Sequence, residues 1–167
     1  MSGLVFPPAA QRPRSAIILI VEDDADFGKF LEEVINSETP YQAALADNGS
    51  CALEKAKRLR PCLLLLDYKL PDINGLEVFD RLQEVEETRG TPAIMMSADL
   101  PYEELQQRGI HPLRKPMDIR RVIRVITHAL ATSEEQQLAR AQQSFQPFQP
   151  PQQQQSQSQQ QLVRAQS

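Results

Sequence analysis

Four places in the sequence put chemically capable side chains directly after short apolar runs. Glu22-Asp23-Asp24 follows the run AIILIV at 16–21, and Asp67 follows CLLLL at 62–66. Ser97 follows AIMM at 93–96, and Lys115 comes shortly after a brief apolar stretch at 110–113. Carboxylates held close together repel, and without a counter-ion at least one pKa must rise. A hard divalent cation removes that conflict, and Mg²⁺ takes oxygen ligands while keeping several waters, with one or two carboxylates from the protein. Glu22, Asp23 and Asp67 suit it in type and number. An ammonium among carboxylates points to an anion arriving from outside, and a phosphoryl group bridges Mg²⁺ and Lys115 well. An aspartate can act as nucleophile and form an aspartyl phosphate. The metal and the ammonium would then neutralise the oxygens that carry charge in a loose transition state.

Such chemistry needs the four segments to converge, and the hydropathy pattern says how. The run at 16–21 is continuously apolar, the mark of a strand buried on both faces. Phe27, Phe30, Leu31, Val34 and Ile35 then repeat at helical spacing and predict one helix face. A weaker strand is expected over 41–46, broken by Asn48-Gly49, and Ala52, Leu53, Ala56 and Leu59 predict the second helix. The run at 62–66 is again a doubly buried strand. A loop over 67–75 leads to a third helix marked by Val78, Leu82 and Val85, with Leu76 and Phe79 flanking. Residues 93–96 predict a fourth strand, 101–107 a short helix, and 110–113 a fifth strand. Ile119, Val122, Ile123, Ile126 and Leu130 mark the last helix. Strands alternating with helices imply an α/β domain with a parallel sheet, right-handed crossovers and helices on both faces. In such sheets function gathers at the carboxyl ends of the strands, where the four segments end.

Composition bounds the rest. The chain has 167 residues, a formal charge of −4, no Trp and two Cys. Residues 133–167 hold 15 Gln among 35 positions, with Ser and Pro filling much of the remainder. So polar a segment cannot offset its ordering cost, and disorder is expected there after a helical opening over 134–143. Residues 1–15 carry three Pro and are expected to be a second disordered tail. The domain is therefore placed at 16–132. The N-terminal tail holds two Arg and the charges of 133–167 balance, which leaves −6 on the domain. That acidity argues against a nucleic-acid-coating protein. No apolar run approaches the ~18 residues of a membrane span, and residues 1–15 show no apolar core of a secretory signal, so a cytoplasmic setting is expected. Cys51 and Cys62 fit no zinc motif and read as small core residues in a reducing compartment. His111 reads as structural or exposed. Arg120, Arg121 and Arg124 read as a solvated helix face, with a partner-docking patch as the alternative.

The stretches ILIVEDDADFGKFL, LLLLDYKLPDINGLEVF, IMMSAD and LRKP resemble the four signatures of the receiver domain of two-component response regulators. The spacings from Asp23 to Asp67 (44 residues) and from Asp67 to Ser97 (30 residues) also fit that family. The resemblance covers about 16–132. It implies a flavodoxin-like doubly wound (βα)5 fold with five parallel strands in the order 2-1-3-4-5. It implies that Asp67 accepts a phosphoryl group from a partner histidine, on a sensor histidine kinase or a histidine phosphotransfer protein. Asp23 would bind Mg²⁺ directly, Glu22 through water, and the backbone carbonyl of Lys69 would complete the protein ligands alongside Asp67. Ser97 would hydrogen-bond one phosphoryl oxygen and Lys115 would pair with another. Lys115-Pro116 would be a cis peptide. Asp24 reads as an acid of the helix first turn rather than a ligand.

The sequence departs from the family pattern in three places. Where the family usually has Tyr or Phe, three residues before the Lys, this chain has Pro112, which has no ring to swing. The interval from Ser97 to Lys115 is 18 residues, about one helical turn shorter than usual, so a clipped fourth helix is expected. Lys69, two residues after Asp67, puts a long cation at the position that in the family faces the phosphoryl group. Three functions follow for comparison. A stand-alone phosphoacceptor that signals through an output protein is the leading one. A receiver fold acting as a phosphorylation-independent docking adaptor is motivated by Pro112 and the clipped helix. A magnesium-dependent phosphohydrolase would need a second Asp at position 69, which Lys69 cannot replace. DNA binding is disfavoured, since no helix-turn-helix pattern follows Thr132.

Overall fold

The computed structural model describes residues 16–144. The expected tail at 1–15, and residues 145–167 of the tail expected over 133–167, lie outside the described residues. In chain order the elements are β1 (Ile17–Val21), α1 (Ala25–Glu38), β2 (Gln42–Ala46), α2 (Gly49–Leu59), β3 (Leu63–Asp67), α3 (Gly75–Glu84), β4 (Ala93–Ser97), α4 (Tyr102–Arg108), β5 (His111–Arg114) and α5 (Ile119–Ser144). All strand pairs are parallel and the sheet order is β2-β1-β3-β4-β5, as the resemblance implied.

Strand alternation sorts the apolar residues into two cores. Leu19, Val21, Leu64, Leu66, Ala93 and Met95 face one way and pack with Ala52, Ala56, Val78, Leu82 and Leu105 of α2, α3 and α4. Ile18, Ile20, Leu63, Leu65, Ile94 and Met96 face the other way and pack with Leu31 and Ile35 of α1 and Val122, Ile126 and Leu130 of α5. The three central strands are apolar at every core position because each face is covered by helices. The half-buried Cys51 packs against the first core and Cys62 against the second.

Most boundaries lie within a residue of the sequence-based expectation, and two of the shifts touch the strand ends that carry polar residues. Asp67 is the last residue of β3, opposite Met96 in the β4 ladder, rather than the first loop residue. Ser97 likewise closes β4. Polar residues at the exit of a buried strand still complete the ladder, since pairing is a backbone property. The helical opening expected over 134–143 is present and continuous with the last helix: α5 has 26 residues and runs through Ser144. Poor apolar content argues against burial, not against a helix. The Glu, Gln, Ala, Leu and Arg of 134–143 are good helix formers. The chain divides into two units at Gln136, and residues 137–144 of the second are helical. At seven residues, α4 is short, as expected. No helix among the described residues is long and apolar enough to cross a membrane.

Candidate phosphoacceptor site

The carboxyl ends of β1, β3, β4 and β5 bring the predicted residues together. Glu22 follows β1 and is only 2% exposed. Asp67 ends β3 at 7% and Ser97 ends β4 at 4%. These are three of the few buried polar residues among those described. The exposed Asp23 completes a cluster with Glu22 and Asp67, in which one carboxylate oxygen of each lies within 4.8 Å of the others. Lys115 enters from the loop after β5, and its backbone N–H donates to the Ser97 carbonyl at 2.9 Å. Its ammonium donates to Glu22 Oε2 at 2.8 Å and Asp67 Oδ2 at 2.9 Å. The other oxygen of Asp67 accepts the Lys69 backbone N–H at 3.0 Å. Ser97 Oγ accepts the Asp99 N–H at 3.2 Å. A cis peptide bond joins Lys115 and Pro116, as the resemblance implied.

The electrostatics are those of crowded anions. Burial raises the Glu22 pKa and the Asp67 charge raises it further, against the lowering effect of Lys115. Burial works against the Lys115 charge, yet its hydrogen bonds to Glu22 and Asp67 hold its pKa above the usual value. Three converging oxygen donors, with one ammonium against their charge, suit a hard divalent cation. Asp24 stands apart from this group. Its carboxylate caps α1, accepting the backbone N–H groups of Asp26 at 3.1 Å and Phe27 at 3.0 Å, so its role is structural.

Two features of the site have no readable signal in a single sequence. Gly75 opens α3 against β3: a Cβ there would collide with the Asp67 carbonyl oxygen. The Asp72 carboxylate reaches 23 residues back to the start of α2. It accepts the Gly49 and Ser50 backbone N–H groups, each at 2.8 Å, and the Ser50 hydroxyl at 2.9 Å. It thereby ties the loop after Asp67 to α2, and those backbone hydrogen bonds hold its pKa far below the ordinary carboxylate value. A depressed carboxylate pKa contributes stability above the unfolded value and loses it as pH falls. Asp72→Ala should therefore melt below the parent chain at pH 7. The gap should shrink below about pH 4, where the unfolded carboxylate protonates; thermal melts across that range measure it.

The departures also take shape. Pro112 sits exposed in β5 opposite Met95. His111 is half-buried, and its ring meets His128 of α5 edge-on at 5.3 Å. Burial, and then the His128 charge, lower the His111 pKa. Arg120, Arg121 and Arg124 are exposed on α5.

A five-stranded parallel sheet in the order β2-β1-β3-β4-β5, flanked by helices, is the fold of the receiver class of signalling domain. The chain belongs to the response regulator receiver domain family, whose model matches residues 18–127. It is 36% identical over 106 residues to sporulation initiation phosphotransferase F of Bacillus subtilis, covering 61% of this chain and 83% of that protein. It is 33% identical over 113 residues to the polar-differentiation response regulator DivK of Brucella anthropi, covering 65% and 91%. Among solved structures, the signal receiver domain of a LuxO repressor protein from Vibrio parahaemolyticus superposes with a TM-score of 0.66. It is 25% identical, with 75% of this chain and 97% of that one covered.

Proposed function

We propose that this chain is a phosphorelay receiver that takes a phosphoryl group onto Asp67 from a histidine of a sensor kinase or phosphotransfer protein. It then signals through contacts with an output protein. The observation that carries the reading is the close set of Glu22, Asp23 and Asp67 with Lys115 bonded between two of them. The similarity to a sporulation phosphotransferase supports a relay role. In the transfer, an Asp67 carboxylate oxygen bonds to phosphorus as the phosphorus–nitrogen bond of the donor breaks, and the imidazole leaves. Lys115 turns from the carboxylates to a phosphoryl oxygen, and the Ser97 hydroxyl donates to another. Glu22, Asp23, Asp67 and the Lys69 carbonyl would hold Mg²⁺, which supplies charge neutralisation for the transferring group. The reading places the chain in the cytoplasm, with neither nucleic acid nor membrane as a partner.

Incubation with Mg²⁺ and acetyl phosphate should add the mass of one phosphoryl group at Asp67, and chelation of the metal should prevent it. An unmodified Asp67 in intact and peptide mass spectra would sink the reading. The exposed Pro112 and the short α4 favour one alternative, a docking adaptor that works without phosphorylation. It predicts that partner capture from the native cell is the same for Asp67→Asn and the parent chain.

A further inference from the structure

Helical spacing assigns Phe27 and Phe30 to the buried stripe of α1; Phe27 does pack at the margin of the second core, whereas Phe30 stands outside it. Leu31, Val34 and Ile35 are buried, whereas Phe27 is only half-buried and Phe30 is 38% exposed. The Phe27 ring faces the site: the Lys115 ammonium lies over it, 4.8 Å from the centroid. The Phe30 ring stacks on Phe27, with centroids 6.1 Å apart and planes 24° from parallel. A continuous path thus runs from the lysine between Glu22 and Asp67 to the solvent face of α1.

We propose that Phe27 is a positioning residue for Lys115, and that its stack with Phe30 reports the state of that ammonium on the surface of α1. The second half rests on the reading of Asp67 as phosphoacceptor. An ammonium on a four-carbon stem is mobile. The face of an aromatic ring attracts it and limits where it goes, while the two carboxylates direct its hydrogens. Phe27 is itself anchored, since its backbone N–H donates to the capping Asp24 at 3.0 Å. That cap follows Glu22 and Asp23 directly, so the ring and the acids share one short piece of backbone. A phosphoryl group on Asp67 adds negative charge beyond the carboxylate and draws Lys115 toward it. The ring then loses part of its cation, and the stacked Phe30 changes environment. β5 cannot supply such a signal at the position three before Lys115, because Pro112 has no ring there.

The chain contains no Trp, so Phe30→Trp introduces a single indole at the end of the path. With Mg²⁺ and beryllofluoride as the phosphoryl mimic, its emission should shift in the Phe27 chain. The shift should vanish with Phe27→Leu and return with Phe27→Tyr, which keeps the ring. Phosphorylation by acetyl phosphate should be several-fold slower with Phe27→Leu, with Phe27→Tyr again restoring the parent rate. An emission shift and a rate that survive Phe27→Leu unchanged would overturn the proposal. Lys115→Met in the Phe30→Trp chain, read without any phosphodonor, judges the path independently of Asp67 chemistry and of whether Phe27→Leu folds. A changed indole spectrum supports the path and an unchanged one overturns it. Absence of a phosphoryl mass at Asp67 would defeat the phosphoacceptor reading and with it the reporting role, while the Lys115→Met spectra still decide whether Phe27 couples Lys115 to Phe30.

Discussion

Asp67→Asn should take up no phosphoryl group from acetyl phosphate or from a phosphorylated histidine partner, under conditions in which the parent chain is modified to completion. The amide oxygen is a poor nucleophile, and the proposal assigns acceptance to Asp67 alone of the three acids. Glu22 is hydrogen-bonded to the Asp24 N–H at 3.2 Å and to Lys115, and Asp23 is exposed rather than set in the strand-end pocket. The same substitution should leave the fold intact. It removes one of the two causes that raise the Glu22 pKa, and Lys115 keeps its bond to Glu22 at 2.8 Å. Intact-mass spectrometry beside a thermal melt separates the two effects: complete loss of modification with a melting temperature equal to or above that of the parent. A modified Asp67→Asn chain would mean that another residue is the acceptor.

Gly75→Ala should be the most damaging small substitution near the site. The new methyl would run into the backbone carbonyl oxygen of Asp67 and would stand 2.8 Å from Met95 Sδ. Met95 can rotate away, but the carbonyl belongs to β3, which pairs on both sides. The start of α3 must therefore move away from the strand. That takes Leu76, Val78 and Leu82 out of register with the first core. Overpacking of this kind costs about 3 kcal/mol, or roughly 10 °C in melting temperature for a domain of this size. Phosphoryl uptake should fall as well, because the carbonyl that is pushed belongs to Asp67, the proposed acceptor. Gly90→Ala is the comparison. There the backbone is left-handed at φ 82° but nothing lies within 4 Å of the added carbon. It should cost about 1 kcal/mol and leave uptake unchanged. Equal losses in the two variants would show that conformational preference, not the close approach to Asp67, is what Gly75 supplies.

The folding pattern was legible because burial on two faces leaves a plain mark. IILIV, LLLLD and AIMMS admit almost no polar residue before their ends, and an apolar run of that length between helical stretches fits a strand covered on both sides and little else. The same pattern made the strand-end residues conspicuous. After a wholly apolar run, the first polar group sits at the sheet edge, so Glu22, Asp67 and Ser97 could be named before their positions were known. Edges of elements were less legible. Asp67 and Ser97 belong to their strands because ladder hydrogen bonds do not depend on side-chain polarity. The helix over 134–143 was legible from residue type, because it needs no apolar face to satisfy its own backbone.

The order of elements, the two-sided core and the identity of the strand-end groups are thus properties of the sequence alone, since each follows from local periodicity and residue type. Only the tertiary structure decides contacts between distant segments. Lys115 lies 93 residues from Glu22 and 48 from Asp67, yet bonds to both. Asp72 caps a helix that precedes it, and Phe27, at the margin of the second core, also lies under the ammonium. Local pattern is silent on these because a side chain's role is set by what the fold places opposite it, and that depends on sheet order and helix rotation rather than on neighbours in the chain.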